Sequence, residues 1–358
     1  MALSVTGLLF EDISKSFDKI IANAGRMSDL PVEEFNKKVE ERLEAIIEQF
    51  EDTTVNIYEQ QYVLRWDKCL KSLTKVQRHI AKKNYEAFQL YYSYLGMGHK
   101  IIKRISALVS DLELTQTENI VIAQYAHLLR LTDQVGIMLL NGYDDGALIL
   151  WRSFYEHALT LSLLIDTNDD GLTKRFIDHN IRNAKKKADS YESRREDLKF
   201  PPIKKEIIED INERHTRLKT TISKEFVEND YGWADALFPK KRKATLRDIE
   251  DYMNWGKYRV YYIWASEYAH AGYETLAAHI EDGKIVLPSI TEPRDEISRL
   301  IDPMQLTLGV LHNVNELFLY LVSANHEYDI NLMMFRRIYD KLQAVFEKAE
   351  YEGDQYSL

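Results

Sequence analysis

GALILWRSFYEHALTLSLLI, Gly146 to Ile165, is the stretch whose reading decides the fold. After its first residue it has neither glycine nor proline, and it is too apolar for a surface helix. Yet it carries Arg152, Glu156 and His157. Charges in an apolar setting are costly unless they are paired. A second stretch, YYIWASEYAHAGYE from Tyr261 to Glu274, puts Glu267 and His270 in a similar setting. The two segments read as core helices that meet around a polar cluster.

The rest of the chain agrees with a helical fold. Among 358 residues there are 14 glycines and 7 prolines, and long segments run without a turn signal. The expected class is all-α: a multi-helix bundle with long N-terminal helices and a projecting helical hairpin. Hydrophobic residues make up 45% and charged residues 29%, as in ordinary globular chains. A net charge of −10 excludes a generally basic nucleic-acid binder but leaves room for a local basic groove. The single cysteine, Cys69, excludes an internal disulfide framework and a cysteine-based metal site, and points to a reducing, cytoplasmic setting. The N-terminus lacks the basic start of a signal peptide. No apolar run approaches the roughly 20 residues of a membrane span, so no membrane association is expected.

Along the chain, apolar spacing predicts helices over Met1–Gly25, from Pro31 to about Asn56, over Val55–Lys82 and over Tyr85–Leu114, with Gly96 and Gly98 as a kink in the last. Asn141-Gly142-Tyr143-Asp144 reads as a turn before the Arg152 helix. Leu172–Lys199 and Lys204–Glu228, separated by Phe200-Pro201-Pro202, read as a helical hairpin. Thr245 with Asp248 reads as a helix start, and Gly256 as an interruption before Tyr261. Ile280–Pro288 is the one candidate for a short strand or hairpin, Ile301-Asp302-Pro303 starts a helix through Leu321, and a last helix covers Asn331–Glu350. The expected organisation is a long-helix region over 1–115 and a helical core over 116–350 that contains the hairpin 172–228.

Arg152 and Glu156 are i, i+4 and share a helix face. They read either as a pin between helices or as a guanidinium held for a phosphate or carboxylate beside an orienting carboxylate. Arg152 and His157 are five residues apart, about 140° round a regular helix, and do not share a face. Glu267 and His270 are i, i+3, and Ser266 and His270 i, i+4, so His270 is a candidate acid, base or relay. Zinc-protease spacing and a second Glu-x-x-His are both lacking, so neither metal nor cofactor is expected. Lys185, Lys186, Lys187, Lys240, Lys241 and Arg242 supply the basic stretches that an RNA backbone would need.

Gly146–Leu163, the Arg175–His179 stretch, Gly232-Trp233 and Tyr258 to Ser266-x-x-x-His270 together resemble a bacterial domain of unknown function, DUF5677, over roughly Leu128–Leu276. That resemblance implies marked positions at Arg152, Glu156, Trp233, Ser266 and His270. Arg152-x4-His157 in a helical setting also resembles the HEPN superfamily of small helical domains. Many of these are metal-independent RNases of toxin and anti-phage systems. The second resemblance implies a homodimer in which His157 is the acid/base, Arg152 stabilises the phosphorane and Glu156 tunes the arginine. The first points to His270 instead.

Two functions follow as expectations. One is a HEPN-like metal-independent ribonuclease acting as a toxin or anti-phage effector, with Arg152, Glu156, His157 and His270 in the reaction and Trp233, Ser266 and Glu267 in structural support. The other is a non-catalytic helical scaffold or sensor that self-associates through helical surfaces.

Overall fold

The computed structural model describes residues 66–68, 70–71, 73–108, 113–241, 243–270, 280–281, 284–285, 293–322 and 326–354. The helices expected over Met1–Gly25 and from Pro31 to Asn56 lie outside these residues, as do Cys69 and Arg242. The architecture is all-α, a multi-helix bundle. The helices are α1 (Lys75–Lys83), α2 (Tyr85–Leu108), α3 (Gln116–Leu140), α4 (Asp144–Thr167), α5 (Asp170–Asp178), α6 (Asn180–Arg194), α7 (Lys205–Thr221), α8 (Lys224–Glu228), α9 (Leu246–Tyr252), α10 (Arg259–Ala269), α11 (Ile297–Val322) and α12 (His326–Asp354). Two short 3-10 turns, Gly232–Leu237 and Gly256–Tyr258, join them. Ile280 and Glu281 pair antiparallel with Ile285 and Lys284, within the stretch read as a short hairpin.

The described residues divide into two compact units. The first takes those before residue 114, together with 122–161 and those from 261 on. In it α11 packs along α12, and both meet α2. Its core includes the fully buried Phe88, Tyr91, Tyr94, Tyr125, Trp151, Phe154, Tyr155, Phe318, Phe335 and Phe346. Tyr125 stacks on Phe318 at 3.8 Å between centroids. Burying tyrosine requires partners for its hydroxyl, and a chain of bonds supplies them. Tyr125 donates to Asn315 Oδ1 (2.7 Å), Asn315 Nδ2 donates to the Tyr94 oxygen (3.1 Å), and that oxygen lies 2.9 Å from His312 Nδ1.

Helix ends in this unit follow local chemistry. Thr74 caps α1 through a capping box with Gln77, which splits the expected Val55–Lys82 helix at a position without glycine or proline. α2 runs unbroken through Gly96 and Gly98. Gly98 serves close packing instead: a Cβ there would meet Leu129 Cδ2 at 2.6 Å. The Asn141–Asp144 turn forms as read, with Gly142 at φ +75°. Arg294 N bonds the Gly142 carbonyl at 3.0 Å, and Arg294 Nη1 grips both Asp144 carboxylate oxygens. α11 begins at Ile297, earlier than read, and holds Pro303 within it. Likewise α12 begins at His326 instead of Asn331.

The second unit takes residues 114–121 and 162–260. The segment read as one helix over Leu172–Lys199 is two, α5 and α6, meeting at His179. The cause is tertiary. His179 Nε2 lies 2.9 Å from the Asn229 carbonyl, and Arg182 Nε donates to the Glu228 carbonyl. The segment read as Lys204–Glu228 also divides, where Ser223 caps α8 by accepting from Phe226 N at 3.0 Å. α6 and α7 pack as a helical pair, and α8 packs on α7. The capping box read from Thr245 and Asp248 is present at α9.

Candidate functional site

Arg152 and Glu156 sit one turn apart on α4, with Arg152 Nε 3.7 Å from Glu156 Oε1. Helical spacing aligns them. The packing of Trp151, Phe154 and Tyr155, all fully buried, turns their face to the edge of the core. α10 meets them there. The Tyr262 hydroxyl donates to Glu156 Oε1 at 2.6 Å and accepts from Arg152 Nε at 3.3 Å. The guanidinium carbon also lies 5.3 Å from the Tyr262 ring centroid, within cation–π range. Just past the end of α10, His270 Nε2 lies 3.5 Å from Arg152 Nη1. One cluster thus holds a cation, a carboxylate, a phenol and an imidazole.

The expected apolar burial of this cluster is corrected. The Arg152 and Glu156 side chains are 29% and 37% exposed, and both Glu267 and His270 are exposed. Among its own residues α10 buries Ala265 alone. Its apolar composition does not translate into burial, because Ile263, Glu267 and His270 form an outward stripe at i, i+4 and i+7. The cluster is therefore open to a solute. Tyr262, half-buried, has its phenol pushed up by burial first and by the bond to Glu156 second, against an opposing pull from Arg152. At neutral pH it keeps its proton and can hold the carboxylate in place.

His157 is placed apart from this set. Its Nδ1 lies 3.4 Å from Gln124 Oε1, and its ring is 4.8 Å from that of His127. Burial first, and His127 second, hold its pKa below the ordinary histidine value. Ser266 donates to the Tyr262 carbonyl at 2.6 Å and so reaches the cluster only through the backbone. Trp233 is buried in the second unit, where its carbonyl accepts from Arg175 Nε at 3.0 Å. Arg175 Nη2 bonds the Gly232 carbonyl as well (3.1 Å), so the Arg175–His179 stretch pins the segment 229–233. Lys185 pairs with Asp189, and Lys241 with Asp248. Lys186, Lys187 and Lys240 are exposed on that unit.

Tyr262 is the member that reading the sequence missed. Its signal was its place four residues before Ser266 and eight before His270 on one helix. Among the described residues no three His, Cys, Asp or Glu side chains gather as a metal centre would need. No helix among them is long and apolar enough to cross a membrane.

Neither a curated protein nor a solved structure matches the chain. Residues 118–284, which carry Arg152 and Glu156 on α4, Tyr262 and Ser266 on α10 and His270 just past its end, match the family described as a family of unknown function, DUF5677.

Proposed function

We propose that the chain is a metal-independent ribonuclease whose reacting set is Arg152, Glu156 and His270, with Tyr262 positioning the first two. The observation that carries this reading is the approach of Arg152 Nη1 to His270 Nε2, 3.5 Å apart on an accessible edge, with the Glu156 carboxylate 3.7 Å from Arg152 Nε. A guanidinium suits the non-bridging oxygens of a phosphodiester and the charge that grows on them at the phosphorane. Glu156 takes the proton of the ribose 2′-hydroxyl as O2′ bonds to phosphorus. His270 supplies a proton to the departing O5′. The products are a 2′,3′-cyclic phosphate and a 5′-hydroxyl. Tyr262 orients Glu156 and Arg152 without reacting.

This reading keeps the RNA substrate and the toxin or anti-phage role that the resemblance implies, and moves the histidine function from His157 to His270. The exposed Lys186, Lys187 and Lys240 supply phosphate contacts, so RNA affinity in a chain of net charge −10 falls steeply with salt. The test is cleavage of single-stranded RNA in excess chelator, with the ends mapped. R152A and H270A remove cleavage, and H157A retains it. No cleavage by the unaltered protein, or cleavage that survives both R152A and H270A, overturns the assignment.

One observation favours a second reading, a non-catalytic scaffold. Tyr262 bonds both Arg152 and Glu156 and so ties α4 to α10. Because the pair is partly exposed, R152A would then cost only about 1 kcal/mol of stability, as surface ion pairs do. The unaltered protein would cut no RNA.

A further inference from the structure

Gln124, His127 and His157 form a second polar group in the first unit. Gln124 and His127 are i, i+3 and share a face of α3, while His157 comes from α4. His157 stands about 140° round α4 from Arg152, so the group is separate from the cluster above. The two imidazole rings lie 4.8 Å apart between centroids, inclined at 73°. His127 is exposed and His157 half-buried, so a hydrated ion can reach the pair.

The spacing has a chemical meaning. A ring nitrogen lies about 1.1 Å from its centroid, and a zinc ion about 2.0–2.1 Å beyond the nitrogen. Two imidazoles sharing one ion therefore have centroids roughly 4.5 Å apart at a 90° angle and roughly 5.2 Å apart at the tetrahedral angle. The observed 4.8 Å falls between these values. Gln124 Oε1, 3.4 Å from His157 Nδ1, is an acceptor for an N–H there. That tautomer leaves the Nε2 lone pair for a metal, the usual task of a group behind a ligating histidine.

We propose that His127 and His157 chelate one divalent transition ion of the zinc, nickel or copper class, with Gln124 orienting His157 and water completing the coordination. Imidazole donors suit these metals over magnesium or calcium. Among the described residues no third His, Cys, Asp or Glu joins the pair, which makes this a two-imidazole clamp.

The test is calorimetric titration of nickel and of zinc into the untagged full-length protein. The expected result is one ion per chain, lost in H127A and in H157A and weakened about tenfold in Q124L. His127 is exposed, so H127A keeps its melting temperature in the absence of metal and separates ligand loss from misfolding. No saturable binding by the unaltered protein, or a one-to-one site that persists in H127A, overturns the proposal.

Discussion

Tyr262 donates its hydroxyl hydrogen to Glu156 across 2.6 Å, and the same oxygen accepts from Arg152 Nε at 3.3 Å. One phenol therefore fixes a carboxylate and a guanidinium relative to each other. Tyr262→Phe keeps the ring under the guanidinium and removes only that bridge. The expected outcome is an RNA-cleavage rate lowered about 100-fold, as a small misplacement of a reacting group causes, and a stability loss of about 1 kcal/mol. Single-turnover cleavage and urea unfolding of the same preparation measure the two effects.

Acid should loosen the fold before it protonates most carboxylates. His157, His179 and His312 are all held below the ordinary histidine pKa, each chiefly by burial. His127 adds to the effect at His157, and Arg182 at His179, where the Asn229 carbonyl opposes it. At His312 Arg336 adds while Glu316 and Asp340 oppose. A depressed histidine is neutral in the fold when the unfolded chain already binds a proton. Its contribution is thus fully present above the unfolded pKa of about 6.5 and declines as pH falls below that value. Urea midpoints compared at pH 7.5 and pH 5.5 should drop at the lower pH, and H312Q should flatten the drop.

Asn315 is fully buried and accepts from Tyr125 while donating to Tyr94. Asn315→Ala leaves the Tyr125 hydroxyl without that acceptor and opens a cavity beside the Tyr125–Phe318 stack. The expected loss is about 2–4 kcal/mol, read from denaturant unfolding. Tyr125→Phe placed on the N315A background should recover part of it, because the orphaned hydroxyl is then gone.

Gly142 sits at φ +75°, and a Cβ there would meet the Arg294 backbone N and O at 2.6 Å. Backbone cannot swing aside as a flexible side chain can. Gly142→Ala should therefore cost more than about 1 kcal/mol and weaken the Arg294–Asp144 grip. Thermal melting gives the first, and a matched R294A variant, added to G142A, should show less than additive loss.

Where residues act on near neighbours in sequence, the sequence was readable. The Arg152–Glu156 pairing follows from i, i+4 spacing, the turn at Asn141–Asp144 from its composition, and the α9 start from Thr245 and Asp248. Where a distant segment decides, it was not. The break at His179 depends on a carbonyl fifty residues away. Tyr262 stands in the sequence among Tyr261, Trp264 and Tyr268, and only its bond to Glu156 shows which of those rings carries a hydroxyl into the cluster. Exposure of His270 is hidden for the same reason: an apolar helix that buries Ala265 alone has the composition of one buried all round.

Arg152 and Tyr262 are 110 positions apart along the chain, and Arg152 and His270 are 118 apart. Drawing such distant points together costs on the order of 4 kcal/mol in chain entropy. The intervening residues must recover that cost by ordering themselves. During synthesis the arginine and the glutamate emerge long before the tyrosine and the histidine, so a ribosome halted anywhere in that interval displays a guanidinium and a carboxylate with no phenol between them and no imidazole to answer.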